Sequence, residues 1–307
     1  MEVVTISGDF NLSRPSALVL GNFDGVHVGH QKLIREAILW AEQHGAYSAV
    51  LTFKPHPLQV LKPNDAPNLL SDWQQKYHYV AELGPDLLLE IPFTKEFALI
   101  KPEDFVAKIL VERLNAKAIF VGYNYTFGNG GQGNPALLEH LGEKYGYFLK
   151  VISPVKINGE VVSSSLIRAC LRDGDIRSAN EYLGHNYTLH GTVIRGHQRG
   201  RELGFPTANI DLHDMNVILS TGVYSVLVHG DGFSQAGVMN VGYCPTFTNQ
   251  DMAFEVHIID FDKDIYGSEL HVEVLHRLRN EKAFAGINEL VGQIKEDVES
   301  TKKLLKV

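Results

Sequence analysis

Short unbroken apolar runs alternate with segments of helical period through the first part of the chain. The runs are 17–21, 47–53, 87–91, 117–122 and 147–153; the periodic segments are 30–44, 72–83, 103–114 and 135–145. Unbroken runs suit strands buried on both faces of a sheet. Their alternation with helices predicts βαβ units and a doubly wound parallel sheet, a Rossmann-like α/β domain. Ligands of such sheets sit beyond the carboxyl ends of the strands.

The pattern then changes. Asp175 reads as the cap of a short helix ending at Leu183, with Gly184 as its stop. From Gly191 onward the pattern is that of strands. Phe254, Val256 and Ile258 alternate with Glu255 and His257, and Leu270, Val272 and Val274 with His271 and Glu273. Gly230-Asp231-Gly232 reads as a hairpin turn. Ile287, Leu290, Val291, Ile294 and Val298 form one helical stripe. The expected second part is a small antiparallel β-barrel with a C-terminal helix. The predicted domains are 1–183 and 184–307.

Composition narrows the partners. A net charge of −8 gives no global basic field to recruit nucleic acid. No apolar run approaches the ~20 residues of a membrane span. The two cysteines, Cys170 and Cys244, are far apart, and the N-terminus lacks a basic-then-apolar signal pattern, so a cytoplasmic location is expected.

Three stretches carry chemistry. The first, Leu20-Gly21-Asn22-Phe23-Asp24-Gly25-Val26-His27-Val28-Gly29-His30, joins a strand to a helix through a Gly-rich turn. A helix start presents free N–H groups and the positive end of its dipole, and the i, i+3 spacing puts His27 and His30 on one face; this is an anion site, suited to a nucleotide triphosphate. A zinc site would need further ligands, with His56 available in principle. Asp24 suits either an indirect Mg²⁺ contact or a hydrogen bond that fixes the turn. In the second stretch, Ser163, Ser164 and Ser165 precede Arg168 at a helix start, and hydroxyls with a guanidinium one turn later would clamp a polyphosphate. The third stretch runs from Gly191 through Gly196, Gly200, Arg201 and Gly204 to Phe205-Pro206-Thr207-Ala208-Asn209. It lacks the Gly-Lys-Ser/Thr of a Walker loop, yet its glycines let backbone approach phosphate. Thr207 and Asn209 offer hard oxygens on one side of an extended chain, as Mg²⁺ requires. Glu255, on the polar face of its strand, could take a proton from a primary alcohol.

Taken together, the first two stretches resemble the nucleotidyltransferase superfamily. Thr52–Pro57, Ile91–Phe97 and Gly122–Gly128 narrow the likeness to its FMN adenylyltransferase branch. The third stretch, with Gly237–Phe247, Glu255, Asp260–Gly267 and Leu278–Phe284, resembles riboflavin kinase. Both modules in this order resemble the bacterial bifunctional riboflavin kinase/FMN adenylyltransferase (FAD synthetase) family. The resemblance implies ATP and Mg²⁺ at both sites, with riboflavin, FMN and FAD as substrates and products. It makes His27, His30 and Arg168 the groups that stabilise transferring phosphate. Gly21, Asn22, Phe23, Asp24, Gly29, Asn124 and the three serines would line that first site. In the kinase module it implies Thr207 and Asn209 at Mg²⁺ and Glu255 as base. Gly191, Gly196, Gly200, Arg201, Gly204, Phe205, Pro206 and Asn240 would surround nucleotide and flavin, with Arg279 in a flap over the flavin. The chain departs from the family pattern at Lys54, Asn124-Tyr125 and 129–133, on the expected flavin side of the first site. The alternatives to two activities are therefore a chain that keeps only the kinase, or a flavin-binding regulator.

Overall fold

The computed structural model describes residues 1–8, 10–196, 200, 203–213, 219–243 and 252–306. It falls into two compact units, Met1–Ser163 and Ser164–Val307.

The first unit runs β1 (Glu2–Thr5), β2 (Ser16–Leu20), α1 (Val28–His44), β3 (Tyr47–Lys54), α2 (Pro57–Leu61), α3 (Trp73–Leu83), β4 (Leu87–Pro92), α4 (Pro102–Asp104), β5 (Ala116–Gly122), α5 (Pro135–Tyr145) and β6 (Phe148–Ile152). α4 continues into a π-helical stretch, Phe105–Arg113, closed by the Leu114 N–H donating to the Ile109 carbonyl. A small hairpin, β7 (Lys156–Ile157) and β8 (Glu160–Val161), ends the unit. The six main strands are parallel, in the order β1-β4-β3-β2-β5-β6.

Alternate residues of the apolar runs feed two cores. Leu18, Leu20, Leu51, Leu89 and Ile119 face Phe105, Leu110 and Leu138. Ala17, Val19, Val50, Leu88 and Phe120 face Leu33, Ile34, Ala37 and Val80 of the helices across the sheet. Chain order reverses between β2 and β5, which makes their carboxyl ends the crevice where such sheets bind ligands.

The second unit opens with α6 (Ser164–Asp173) and α7 (Ile176–Leu183). Asp175 caps α7 by accepting the Ser178 N–H, and Gly184 (φ 74°) ends it, as the sequence predicts. Six antiparallel strands follow: β9 (Tyr187–Ile194), β10 (Ala208–Leu212), β11 (Gly222–Gly230), β12 (Phe233–Tyr243), β13 (Met252–Ile258) and β14 (Glu269–Arg279). They close as β10-β13-β12-β11-β14-β9, and α8 (Ile287–Leu305) follows. The β11–β12 hairpin turns through Asp231-Gly232. The stripe on α8 is only half-buried and Ile287 is exposed; the deepest side chains are Asp297 and Thr301.

Candidate functional site

The turn after β2 is conformationally unusual. Phe23, Gly25 and Val26 all have positive φ (50°, 75° and 39°). For a β-branched valine this is strained, at ~1–3 kcal/mol, and complete burial of Phe23 and Val26 holds it. The turn is also tied down. Asp24 Oδ1 accepts the Leu70 N–H (2.8 Å), and the Gly25 N–H donates to Ser71 Oγ (3.3 Å). The bond from Leu70 fits the turn-fixing role for Asp24.

The twist delivers His27 to the N-cap of α1, where its Nδ1 accepts the His30 N–H (3.4 Å). The ring proton then sits on Nε2. The two imidazoles stack at 3.6 Å, and Phe23 meets His30 edge-on at 5.2 Å. Burial lowers the His27 pKa to about 4. Burial, then the neighbouring His27 and Lys76, hold His30 far below the usual histidine range. The pair is therefore neutral at pH 7, and each ring carries one N–H donor rather than a positive charge. His30 Nδ1 is buried with no hydrogen-bond partner among the described residues.

Lys76, buried on α3, donates to the Asn22 carbonyl (2.9 Å) with its ammonium over the Trp73 ring (4.2 Å). Burial lowers its pKa to about 8 against the pull of Asp24 and Glu90. Tyr77 donates to Glu90, and Lys54 lies 3.0 Å from Tyr77 Oη and 3.8 Å from Glu90. Reading the sequence for motifs passes over Lys76 and Glu90. The available signals are a lysine on the Val80–Leu83 stripe and a carboxylate inside an otherwise apolar strand. His56 serves as a cap, its Nδ1 accepting the Leu58 N–H. Asn124 lies exposed just beyond β5, and the Tyr125 hydroxyl is buried without a partner among the described residues. Ser163 is the last residue of the first unit. Ser164 and Ser165 open α6, and Arg168 is buried one turn along it.

In the barrel, register assembles a row. Glu255 on β13 lies directly opposite Asn209 on β10 and Asn240 on β12. Directly paired residues share a face, so an acid stands between two amides. A Cβ at Gly196 would strike the Asn209 amide, and one at Gly200 would strike the Phe205 carbonyl and lie 3.3 Å from Thr207 Oγ1. Glycine lets the backbone at these two positions approach Asn209 and Thr207 closely. His257 Nδ1 donates to the Pro206 carbonyl (2.9 Å) and its ring meets Phe205 edge-on, fixing the chain that presents Thr207. Gly191 lies within β9, where the missing Cβ admits the Asp211 carbonyl. Gly204 supplies a φ of 84°. Arg279 ends β14 with its guanidinium held by Asp297 on α8 (2.8–3.1 Å). Arg201 and residues 244–247 lie outside the described residues.

A family model described as FAD synthetase matches residues 10–166, and one described as riboflavin kinase matches 183–305. A bifunctional riboflavin kinase/FMN adenylyltransferase of Bacillus subtilis is 37% identical over 287 residues, 92% of this chain and 90% of that protein. The chain belongs to the bifunctional riboflavin kinase/FMN adenylyltransferase family. Another member, from Escherichia coli K12, is 35% identical over 95% of each chain. A crystal structure described as a macrolide-efflux protein from Streptococcus pneumoniae covers 98% of this chain and 99% of its own, with 31% identity and a TM-score of 0.89. This member of the bifunctional family has, among its described residues, no helix long and apolar enough to cross a membrane.

Proposed function

We propose that this chain catalyses two successive ATP-dependent steps on one flavin. The module of residues 184–307 phosphorylates riboflavin to FMN, and the module of residues 1–183 adenylylates FMN to FAD and releases pyrophosphate. The observation that supports the reading is that each module gathers its own cluster of polar side chains: the imidazole pair at the start of α1 and the Asn209–Glu255–Asn240 row of the barrel.

In the kinase step Glu255 takes the proton of the ribityl primary hydroxyl as that oxygen attacks the γ-phosphorus of ATP and ADP leaves. The hydroxyl of Thr207 and the amide oxygen of Asn209 are hard donors beneath a glycine cradle, and they fit Mg²⁺. When bound, the ion would neutralise phosphate charge. Gly196, Gly200, Arg201, Gly204, Phe205 and Pro206 are assigned to nucleotide and flavin binding. Asn240 sets the far side of the acid, and Arg279 borders the flavin.

In the adenylylation step an FMN phosphate oxygen attacks the α-phosphorus of ATP, and no covalent intermediate with the protein forms. Catalysis of this kind is positioning and electrostatics. His27 and His30 donate to the transferring phosphoryl group and the leaving pyrophosphate. Ser163, Ser164, Ser165 and Arg168 are assigned to ATP phosphate by their motif, and Asn124 to the flavin side. Lys76 is a positioning residue, acting through Asn22. On this assignment the functional border falls at 183/184, and the chain works in the cytoplasm.

The test is a time course of wild-type protein with riboflavin, ATP and Mg²⁺, with FMN and FAD separated by chromatography. FMN should rise first and FAD follow. Accumulation of FMN alone, or flavin binding without ATP turnover, would overturn the two-step reading.

A further inference from the structure

We propose that the barrel carries a Zn²⁺ site formed by His190, His213 and Glu269, away from the groups assigned to ATP and flavin.

Three neighbouring strands converge here. His190 lies in β9, Glu269 opens β14, and His213 directly follows β10. His190 and Thr192 share one face of β9, opposite His271 and Glu269 on β14. The His213 N–H donates to the His190 carbonyl (3.1 Å), which brings the third residue to the same edge. Nε2 of His190 and Nε2 of His213 each lie 3.1 Å from the same oxygen, Glu269 Oε2. The three donor atoms all fall within 4.8 Å of one another. Tetrahedral zinc with bonds of ~2.0–2.2 Å needs donors about 3.3–3.5 Å apart, so small side-chain shifts would admit the ion.

The arrangement is also braced. The Thr192 hydroxyl donates to the other carboxylate oxygen, Glu269 Oε1 (2.7 Å), which orients Oε2 toward the imidazoles. The His190 ring is buried, stacked on His271 at 4.2 Å, with His213 edge-on at 4.5 Å. Partners of this kind fix ligand orientation in metal sites. Two imidazoles and one carboxylate without thiolate suit Zn²⁺ far better than Mg²⁺ or Ca²⁺. Glu269 and His213 are half-exposed, as a site that takes up an ion from solution requires. On binding, the ion would replace the contacts that the two Nε2 atoms make with Glu269, and that His213 Nε2 makes with the Thr192 hydroxyl (3.0 Å).

The site is separate from the kinase row. Asn209 lies four residues before His213, about 13 Å along an extended strand at its usual rise. A metal here would fasten one end of β10 while Thr207 and Asn209 work at the other.

The experiment uses the full chain, stripped of metal and titrated with Zn²⁺ alone, with calorimetry and metal analysis after gel filtration. Wild type is compared with His213→Ala and Glu269→Gln. The second variant keeps the side-chain shape and an oxygen for Thr192, so it decides the matter if the first fails to fold. His27 and His30 are common to all three proteins, so differences report the barrel cluster. The wild type should hold one more Zn²⁺ per chain than either variant and gain thermal stability on binding. Affinity should fall by more than the ~10–100-fold that loss of an outer partner costs. Riboflavin phosphorylation in Mg²⁺ should be unchanged in both variants. Equal Zn²⁺ uptake by all three proteins, or none by the wild type in excess Zn²⁺, would overturn the site and leave the cluster a hydrogen-bonded clasp.

Discussion

His27 illustrates how a site residue can weigh on stability. Its side chain is buried and its pKa falls from 6.5 to about 4, chiefly through desolvation. Between those pH values the unfolded chain holds a proton that the folded chain does not. The stability involved is fully present above pH 6.5 and is lost as pH falls toward 4, by about 3 kcal/mol. Urea unfolding at pH 7 and pH 4.5 should show this loss in the wild type and a smaller one in His27→Asn. Equal losses would contradict neutral burial. The residue scale is also where the sequence is most and least legible. The turn glycines and spaced histidines announce an anion site because each residue type has a local cause. Lys76 and Glu90 do not announce themselves, because a buried charge is meaningful only once Asn22, Tyr77 and Trp73 are seen around it.

The element that joins sequence to chemistry is the first turn of α1. Gly29 is there because a Cβ would lie 3.0 Å from His27 Cε1 and 3.2 Å from Nδ1. Gly29→Ala favours the helix by up to about 1 kcal/mol yet pushes the capping ring aside. We expect FAD formation about 10-fold slower with no loss of thermal stability, as a displacement of a few tenths of an ångström implies. A faster enzyme, or a clearly less stable one, would contradict that reading. At the far end of the chain, Asp297 enters the apolar stripe of α8 because Arg279 meets it with three hydrogen bonds. Asp297→Ala leaves that guanidinium without its carboxylate and should cost about 3 kcal/mol by denaturant titration. Elements with strong periodicity were legible; 135–145 is a helix over that same span. β1 was not, because a largely exposed edge strand of four residues, with only Val3 and Val4 apolar, gives too short a run to register. β12 was hidden by Gly237 and Gly242 within it, and the π-helical stretch because its apolar spacing is close to that of an α-helix.

At the scale of the molecule, contacts divide the chain at Ser163/Ser164, whereas the change of sequence pattern suggested 183/184. The reason is packing: α6 packs on α7, and α7 on β9 and β14, so the helix pair clusters with the barrel. Hydrophobic period reports the type of an element but not the neighbour it packs against. That division leaves His27 and His30 in one unit and Glu255 in the other. If the module before the 183/184 border and the module after it each do their own chemistry, the two activities must fail separately. The measurement is a paired assay of Glu255→Gln and His30→Ala, each given riboflavin or FMN with ATP and Mg²⁺. Glu255→Gln should lose FMN formation by ~10²–10⁴ while still turning FMN into FAD. His30→Ala should make FMN normally and lose FAD formation by ~10²–10³. Either variant losing both activities while folded, or His30→Ala making FAD at the wild-type rate, would contradict the account.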